Sequence, residues 1–429
     1  MDGVQPLPRF EFRADRPSLG DMFRRGVGDV GAVIPASILD EPAVRLTGPG
    51  APLVVASPEL VREVLGDRAD HFTRDRFVRR LFRRSWGKGL AAAEGEDWQR
   101  QRRATVPFFR PQQVKRQLVR FAAASDAVID QTANGAQIDL VAFSARIVAR
   151  IVLSVLVDGE GLADPDQAAA DMPGYVRRIA GFSALDLLPL PEALIDRLQG
   201  IDRDPVVQRL RAMGQRLAQA RQDSAPRADM IALLEGVGPI ADNIAGLLPA
   251  AMDTTVAGLG WAFHALALRP EWQDRVAAEG RALGQAGRLD QLPVTRRVVS
   301  EVLRLYPPAP LLARCAARSM ELGGHKVRRG QTVIVAIYAM HRHNQVWDRP
   351  DHFDPDRFLT ERSGDPWMPF GTGPRMCIAA HFAQAEMAVI LARVLARFRI
   401  EPGAAIPEVS LQTTTRSLNG LPATLCARD

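Results

Sequence analysis

The decamer Phe370-Gly371-Thr372-Gly373-Pro374-Arg375-Met376-Cys377-Ile378-Ala379 sets a cysteine behind two glycines and a proline. That density of glycine and proline predicts a tight, backbone-rich loop, and an apolar helical pattern runs on from Ile378 to Phe398. Cys377 thus falls at a helix N-terminus, where free N–H groups and the helix dipole favour thiolate over thiol. Such a thiolate is a soft metal ligand, and N–H groups turned toward the sulfur would tune the metal. Arg375, two residues away, supplies a cation suited to a carboxylate. An isolated cysteine behind a glycine turn is more often an inert buried thiol, so other residues must decide. Asp253-Thr254 lies midway along a long apolar pattern. A carboxylate beside a hydroxyl there can pass protons without admitting bulk water, or the threonine simply bonds back to the preceding turn. Glu301 and Arg304 stand three apart, so on a helix they share a face and can pair.

The elements that must position these residues read mainly as helices. Helical patterns cover Pro58 to Gly66, Gly95 to Phe108, Pro111 to Ala133, Ile138 to Val157, and Asp166 to Gln222 with a break near Leu187 to Pro191. Pro239 to Leu268 is the longest, spanning roughly 45 Å at the usual helical rise, and Pro270 ends it. Within it, Ile244 to Leu268 is long and apolar enough to cross a bilayer. Asp253, Thr254, Thr255 and Pro249 instead favour a buried core helix with a polar feature at its middle. Pro249 lacks the N–H that would bond the carbonyl of Ala245, which predicts a kink. Strand patterns are few: Leu53 to Ala56, Thr332 to Ile337 after the turn Arg328-Arg329-Gly330, and Ala423 to Cys426. The expected class is mainly α with small β-sheets to one side.

Composition narrows the context. The 429 residues are 47% hydrophobic and 24% charged, enough apolar material for a large core. No linker, repeat or low-complexity stretch divides the chain, so one body is expected. The cysteines Cys315, Cys377 and Cys426 are widely spaced, which offers no disulfide framework and fits a reducing compartment. Met1 to Arg25 lacks the apolar core of a signal peptide or anchor, so a cytoplasmic protein without a membrane anchor is expected. Net charge is +6, with basic residues concentrated between Arg74 and Arg120. No nucleic-acid motif accompanies them. They form either a solvated face or a dock for an acidic protein.

The cysteine loop as a whole resembles the haem-binding signature of the cytochromes P450, in which a cysteine thiolate ligates haem iron. Other features of that family occur in order. Trp98 and Arg102 match its Trp-x-x-x-Arg, Glu301 and Arg304 its Glu-x-x-Arg, and Pro355-Asp356-Arg357-Phe358 its Pro-x-Arg-Phe. Ala250-Ala251-Met252-Asp253-Thr254-Thr255 resembles its oxygen-binding motif. The resemblance extends from Leu53 to Leu425 and implies the cytochrome P450 fold, with a long central helix over the haem. It implies a single P450 domain over residues 1–429, with no fused reductase or ferredoxin domain. Ala379 and Ala251 depart from the usual glycines, and Pro249 is unusual inside that helix.

What the resemblance implies is specific. Haem b would be bound by Trp98, Arg102, Ala250, Arg314, Phe370, Arg375 and Cys377, with Cys377 on the iron. Arg102, Arg314 and Arg375 would neutralise its two carboxylates. Glu301, Arg304 and Arg357 would form a buried network locking the cysteine loop. Thr254 would hold a water beside oxygen, with Asp253 as the relay behind it. Phe182, Met252, Leu311, Leu312 and Leu418 would line a pocket for a small hydrophobic substrate, although Arg76, Arg79 and Arg80 could also receive a carboxylate. The implied enzyme is a monomeric monooxygenase that inserts one atom of O2, drawing electrons from a ferredoxin and its reductase docked near Arg100, Arg103 and Arg110. The alternatives are a peroxygenase, an isomerase or dehydratase, and a non-enzymatic haem-binding protein. The Asp253–Thr254 pair would be superfluous in each.

Overall fold

The computed structural model describes residues 6–14, 29–48, 50–156, 163–180, 191–222, 230, 232–284, 288–360 and 366–428. Helix Ile240–Ala267 runs through the middle of the helical part and continues past Pro249. It is apolar on every side and so packs against several helices at once: Leu140–Ile151, Pro205–Gln222, Pro293–Leu305 and Ala380–Arg397. Helix Ala380–Arg397, which follows the cysteine loop, also packs on Pro270–Ala282 and Pro111–Ile129. The first of these crossings needs Gly280, because a Cβ there would lie 2.0 Å from the carbonyl oxygen of Ala392.

A five-stranded sheet lies apart, in the spatial order Ala43–Arg45, Leu53–Val55, Thr332–Ala336, Leu311–Ala316, Phe72–Arg74. The last two strands are antiparallel in a register that sets Arg74 opposite Arg314. A hairpin of Val409–Leu411 and Thr415–Ser417 stands near the central helix. Trp261 Nε1 on that helix donates to the carbonyl of Thr415 at 3.0 Å. The hydroxyl of Thr415 donates to the carbonyl of Pro307 at 2.6 Å, and its N–H to that of Pro308 at 3.1 Å. The hairpin is therefore pinned from two sides.

Two sequence expectations change. The helix expected from Ile138 begins at Leu140, because Ile138 pairs with Ala423 in a separate three-stranded sheet. Asp139 then caps the helix, accepting from the N–H groups of Val141 and Ala142. The arginine cluster after Arg74 contains a helix the pattern did not suggest, Arg76–Trp86, capped by Asp75 through the N–H of Phe77. The stretch Asp166 to Gln222 resolves into helices Pro165–Ala180, Glu192–Gln199 and Pro205–Gln222. The expected break at Leu187 to Pro191 falls largely outside the described residues. Among the described residues no helix is long and apolar enough to cross a membrane.

Candidate active site

The cysteine loop folds back on itself. Gly371 and Gly373 adopt left-handed backbone angles, φ +69° and +72°, and a Cβ on Gly373 would lie 2.0 Å from the carbonyl oxygen of Leu65. Only glycine fits that approach. The N–H of Cys377 donates to the carbonyl of Phe370 at 3.0 Å, and that of Met376 to Gly373 at 3.1 Å. Ala379 sits at φ −95°, a conformation that does not require glycine. Its methyl group is therefore compatible with the loop.

Cys377 is exposed as a residue, yet its thiol is crowded enough that burial dominates its ionisation and raises its pKa. The N–H of Ala379 and the charge of Arg102 act in the opposite direction.

Behind the loop lies a closed network. Arg304 and Glu301 are fully buried and joined bidentately, at 2.7 Å and 2.8 Å. Arg357 donates to Glu301 Oε1 at 3.2 Å, and the N–H of Asp354 does so at 2.8 Å. The remaining donors of Arg304 reach the carbonyls of His341, Pro350 and His352. His341, which sequence reasoning left without a role, carries this network to Met368, two residues before the cysteine loop. Its Nδ1 lies 3.2 Å from the carbonyl of Arg304, and its Nε2 accepts the N–H of Met368 at 2.9 Å. Those partners assign the proton to Nδ1. Burial first, then the charge of Arg304, hold its pKa down to about 3.

A cation cluster flanks the loop. The guanidinium carbon of Arg375 lies 3.9 Å from the ring centre of Trp98, and that of Arg102 lies 5.6 Å away. Arg102 also donates to the carbonyl of Met376 at 2.9 Å. Arg375 and Arg74 both reach Glu94, at 2.6 Å and 3.3 Å. Among the described residues Arg314 bonds only its neighbour's carbonyl, Ala313, at 3.1 Å. Burial, followed by repulsion from Arg375, lowers both Arg74 and Arg314 to about 10. Arg74, Arg102, Arg314 and Arg375 thus set four guanidiniums against the one carboxylate of Glu94, an excess of three positive charges. A ligand bearing two carboxylates would offset most of that excess, which is the fit expected of haem b. Arg74 was missed by sequence reasoning, since only the strand register brings it opposite Arg314.

On the central helix, the hydroxyl of Thr254 donates to the carbonyl of Ala250 at 2.8 Å. Asp253 faces Arg416 of the hairpin, whose Nη2 lies 3.4 Å from each carboxylate oxygen. Burial raises the pKa of Asp253, while Arg416 and Thr414 oppose the rise. A second buried acid, Glu386, is raised to about 8 by burial, opposed by a hydrogen bond with Thr255. Its signal was visible in the sequence as a lone acid inside an apolar helix.

The predicted pocket residues differ in burial. Met252 is fully buried in the main core, and Leu418 is 54% exposed. Leu311 and Leu312 are half-buried and lean on different apolar clusters. Phe182 lies outside the described residues. Ala250 and Phe370 are half-buried against the main core. Of the arginines offered for a carboxylate, Arg76 and Arg79 are exposed, whereas Arg80 is buried and paired with Asp196 at 3.3 Å.

Comparison with known proteins places this geometry. Residues 41–426 match the family model described as Cytochrome P450. Pentalenene oxygenase of Streptomyces avermitilis is 31% identical over 398 residues, covering 85% of this chain and 86% of that protein. Cyclooctat-9-en-7-ol 5-monooxygenase of Streptomyces melanosporofaciens is 29% identical, with 84% and 82% covered. A zebra fish cytochrome P450 solved with progesterone superposes with a TM-score of 0.75 at 25% identity, covering 90% of this chain and 96% of that one.

Proposed function

Since this chain belongs to the cytochrome P450 family and is a haem b monooxygenase, we propose that Cys377 is its iron ligand and that Asp253 and Thr254 deliver its protons. The haem, when bound, supplies the iron at which O2 is activated. With haem bound, Cys377 would donate electron density to that iron, and Arg74, Arg314 and Arg375 would pair with the haem carboxylates. Arg102, bonded to the carbonyl of Met376, adds a positive charge close to the sulfur.

The observation that carries the oxygenase reading is the back-bond of Thr254. Its O–H is taken by the carbonyl of Ala250, so the oxygen keeps its lone pairs free to accept. It can then hold a water whose own proton points toward the reacting oxygen. Asp253, mostly buried but still partly open to solvent behind it, takes protons from solvent and passes them inward. A peroxide-driven enzyme has less use for such a pair.

Electrons arrive from outside through a ferredoxin. Helix Gly95–Thr105 presents Arg102 to the cysteine loop and leaves Arg100 and Arg103 exposed, with Arg110 exposed just beyond. An acidic ferredoxin docked there would approach from the thiolate side, with association that weakens as salt rises. The substrate is a small hydrophobic molecule, and pentalenene is the first probe because a relative oxidises it.

The test supplies haem-loaded protein and pentalenene with NADPH, ferredoxin and reductase, or with peroxide alone. Oxidised pentalenene that requires NADPH and ferredoxin is the expected result. Equal turnover with peroxide alone would favour the peroxygenase reading.

A further inference from the structure

We propose that Arg416 is a positioning residue for proton delivery, coupling the hairpin Val409–Leu411/Thr415–Ser417 to Asp253. The inference rests on the reading of Asp253 as the relay. Asp253 and Arg416 belong to elements far apart in the chain, and the fold brings them into an ion pair whose members are 20% and 23% exposed. Arg416 cannot drift far from this place. Its Nη2 is held by Thr414 Oγ1 at 2.5 Å and its Nε by the same oxygen at 3.2 Å. The strand that carries it is fastened to the central helix through Trp261 and to the turn at Pro307 and Pro308.

The lengths of these bonds define the role. Thr414 holds the guanidinium closely, whereas both oxygens of Asp253 stand 3.4 Å from it. Arg416 therefore stays fixed while the carboxylate can turn away, pick up a proton from solvent, and return. On releasing that proton inward, Asp253 is again an anion beside Arg416, and no other atom is gained or lost. Without the arginine, desolvation leaves the acid protonated and reluctant to cycle.

The experiment uses haem-loaded protein supplied with NADPH, ferredoxin and its reductase, reading the fraction of consumed O2 released as peroxide above that of the same mixture without the protein. Wild type is compared with R416A, R416K, D253N and R416A/D253N, and the carbon monoxide spectrum reports the intact thiolate haem in each. Orienting partners of a functional group are typically worth on the order of tenfold in activity. R416A should keep the thiolate spectrum, raise the peroxide fraction several-fold, and be largely rescued by R416K. In the D253N background the same substitution should add nothing. A wild-type peroxide fraction in R416A, with D253N raised, would overturn the role of Arg416 alone. A wild-type fraction in D253N would overturn the relay itself.

Discussion

The two sides of the site are built differently. Around the cysteine loop, Glu301 and Arg304 are sealed from solvent, and Arg304 makes bonds of 2.6 to 3.0 Å. Around Asp253, the ion pair with Arg416 is stretched to 3.4 Å and both partners stay partly open. The first arrangement suits a ligand that must not move. The second suits a proton that must. Buried ion pairs are costly to make and more costly to break, so one placed behind the cysteine fixes a geometry. A partly open pair stretched to 3.4 Å is held more loosely, as the proposed proton relay requires.

The contrast is tested most severely by breaking the sealed side. Glu301→Gln strands the buried Arg304 charge and should cost about 3–5 kcal/mol, read as a lower unfolding midpoint in denaturant and poor haem loading. Full loading and unchanged stability would remove the distinction. Thr254→Ala on the open side should do the reverse. Stability should change by no more than about 1 kcal/mol, while the peroxide fraction rises on the order of tenfold or more.

Titration sharpens the comparison further. His341, neutral in the fold with a pKa of about 3, takes up a proton near its ordinary value when the chain unfolds. The unfolded state then binds more protons, so stability is lost as pH falls from about 6.5 toward 3. Glu386, raised to about 8, works oppositely: the folded state keeps a proton that the unfolded state releases, and stability is lost as pH rises from about 4.5 to 8. Glu386→Gln should therefore remove a slope of at most about 1.4 kcal/mol per pH unit in that window, measured by denaturant titration at several pH values. An unchanged slope would place the ionisation of Glu386 elsewhere. The smallest effect is expected at the loop itself. Ala379→Gly should alter stability by no more than about 1 kcal/mol, because its φ of −95° suits either residue.

What was legible in the sequence was whatever local spacing encodes. Glu301 and Arg304 pair because three residues make one helical turn's neighbours, and the loop at Cys377 announces itself through its glycines. Arg74, Arg416 and His341 were not legible in their roles, because strand register or tertiary packing alone brings each to its partner. Ile138 was misread as helix since its pairing with distant Ala423 overrides the local apolar pattern.

The central claim is that Cys377 holds the iron while the open side governs its protons. Haem-loaded wild type, reduced and exposed to carbon monoxide, should give the spectrum of a thiolate-ligated haem, and Cys315→Ala and Cys426→Ala should preserve it. Cys377→Ala should lose that spectrum. A Cys377→Ala protein that still shows a thiolate-type spectrum would contradict the account.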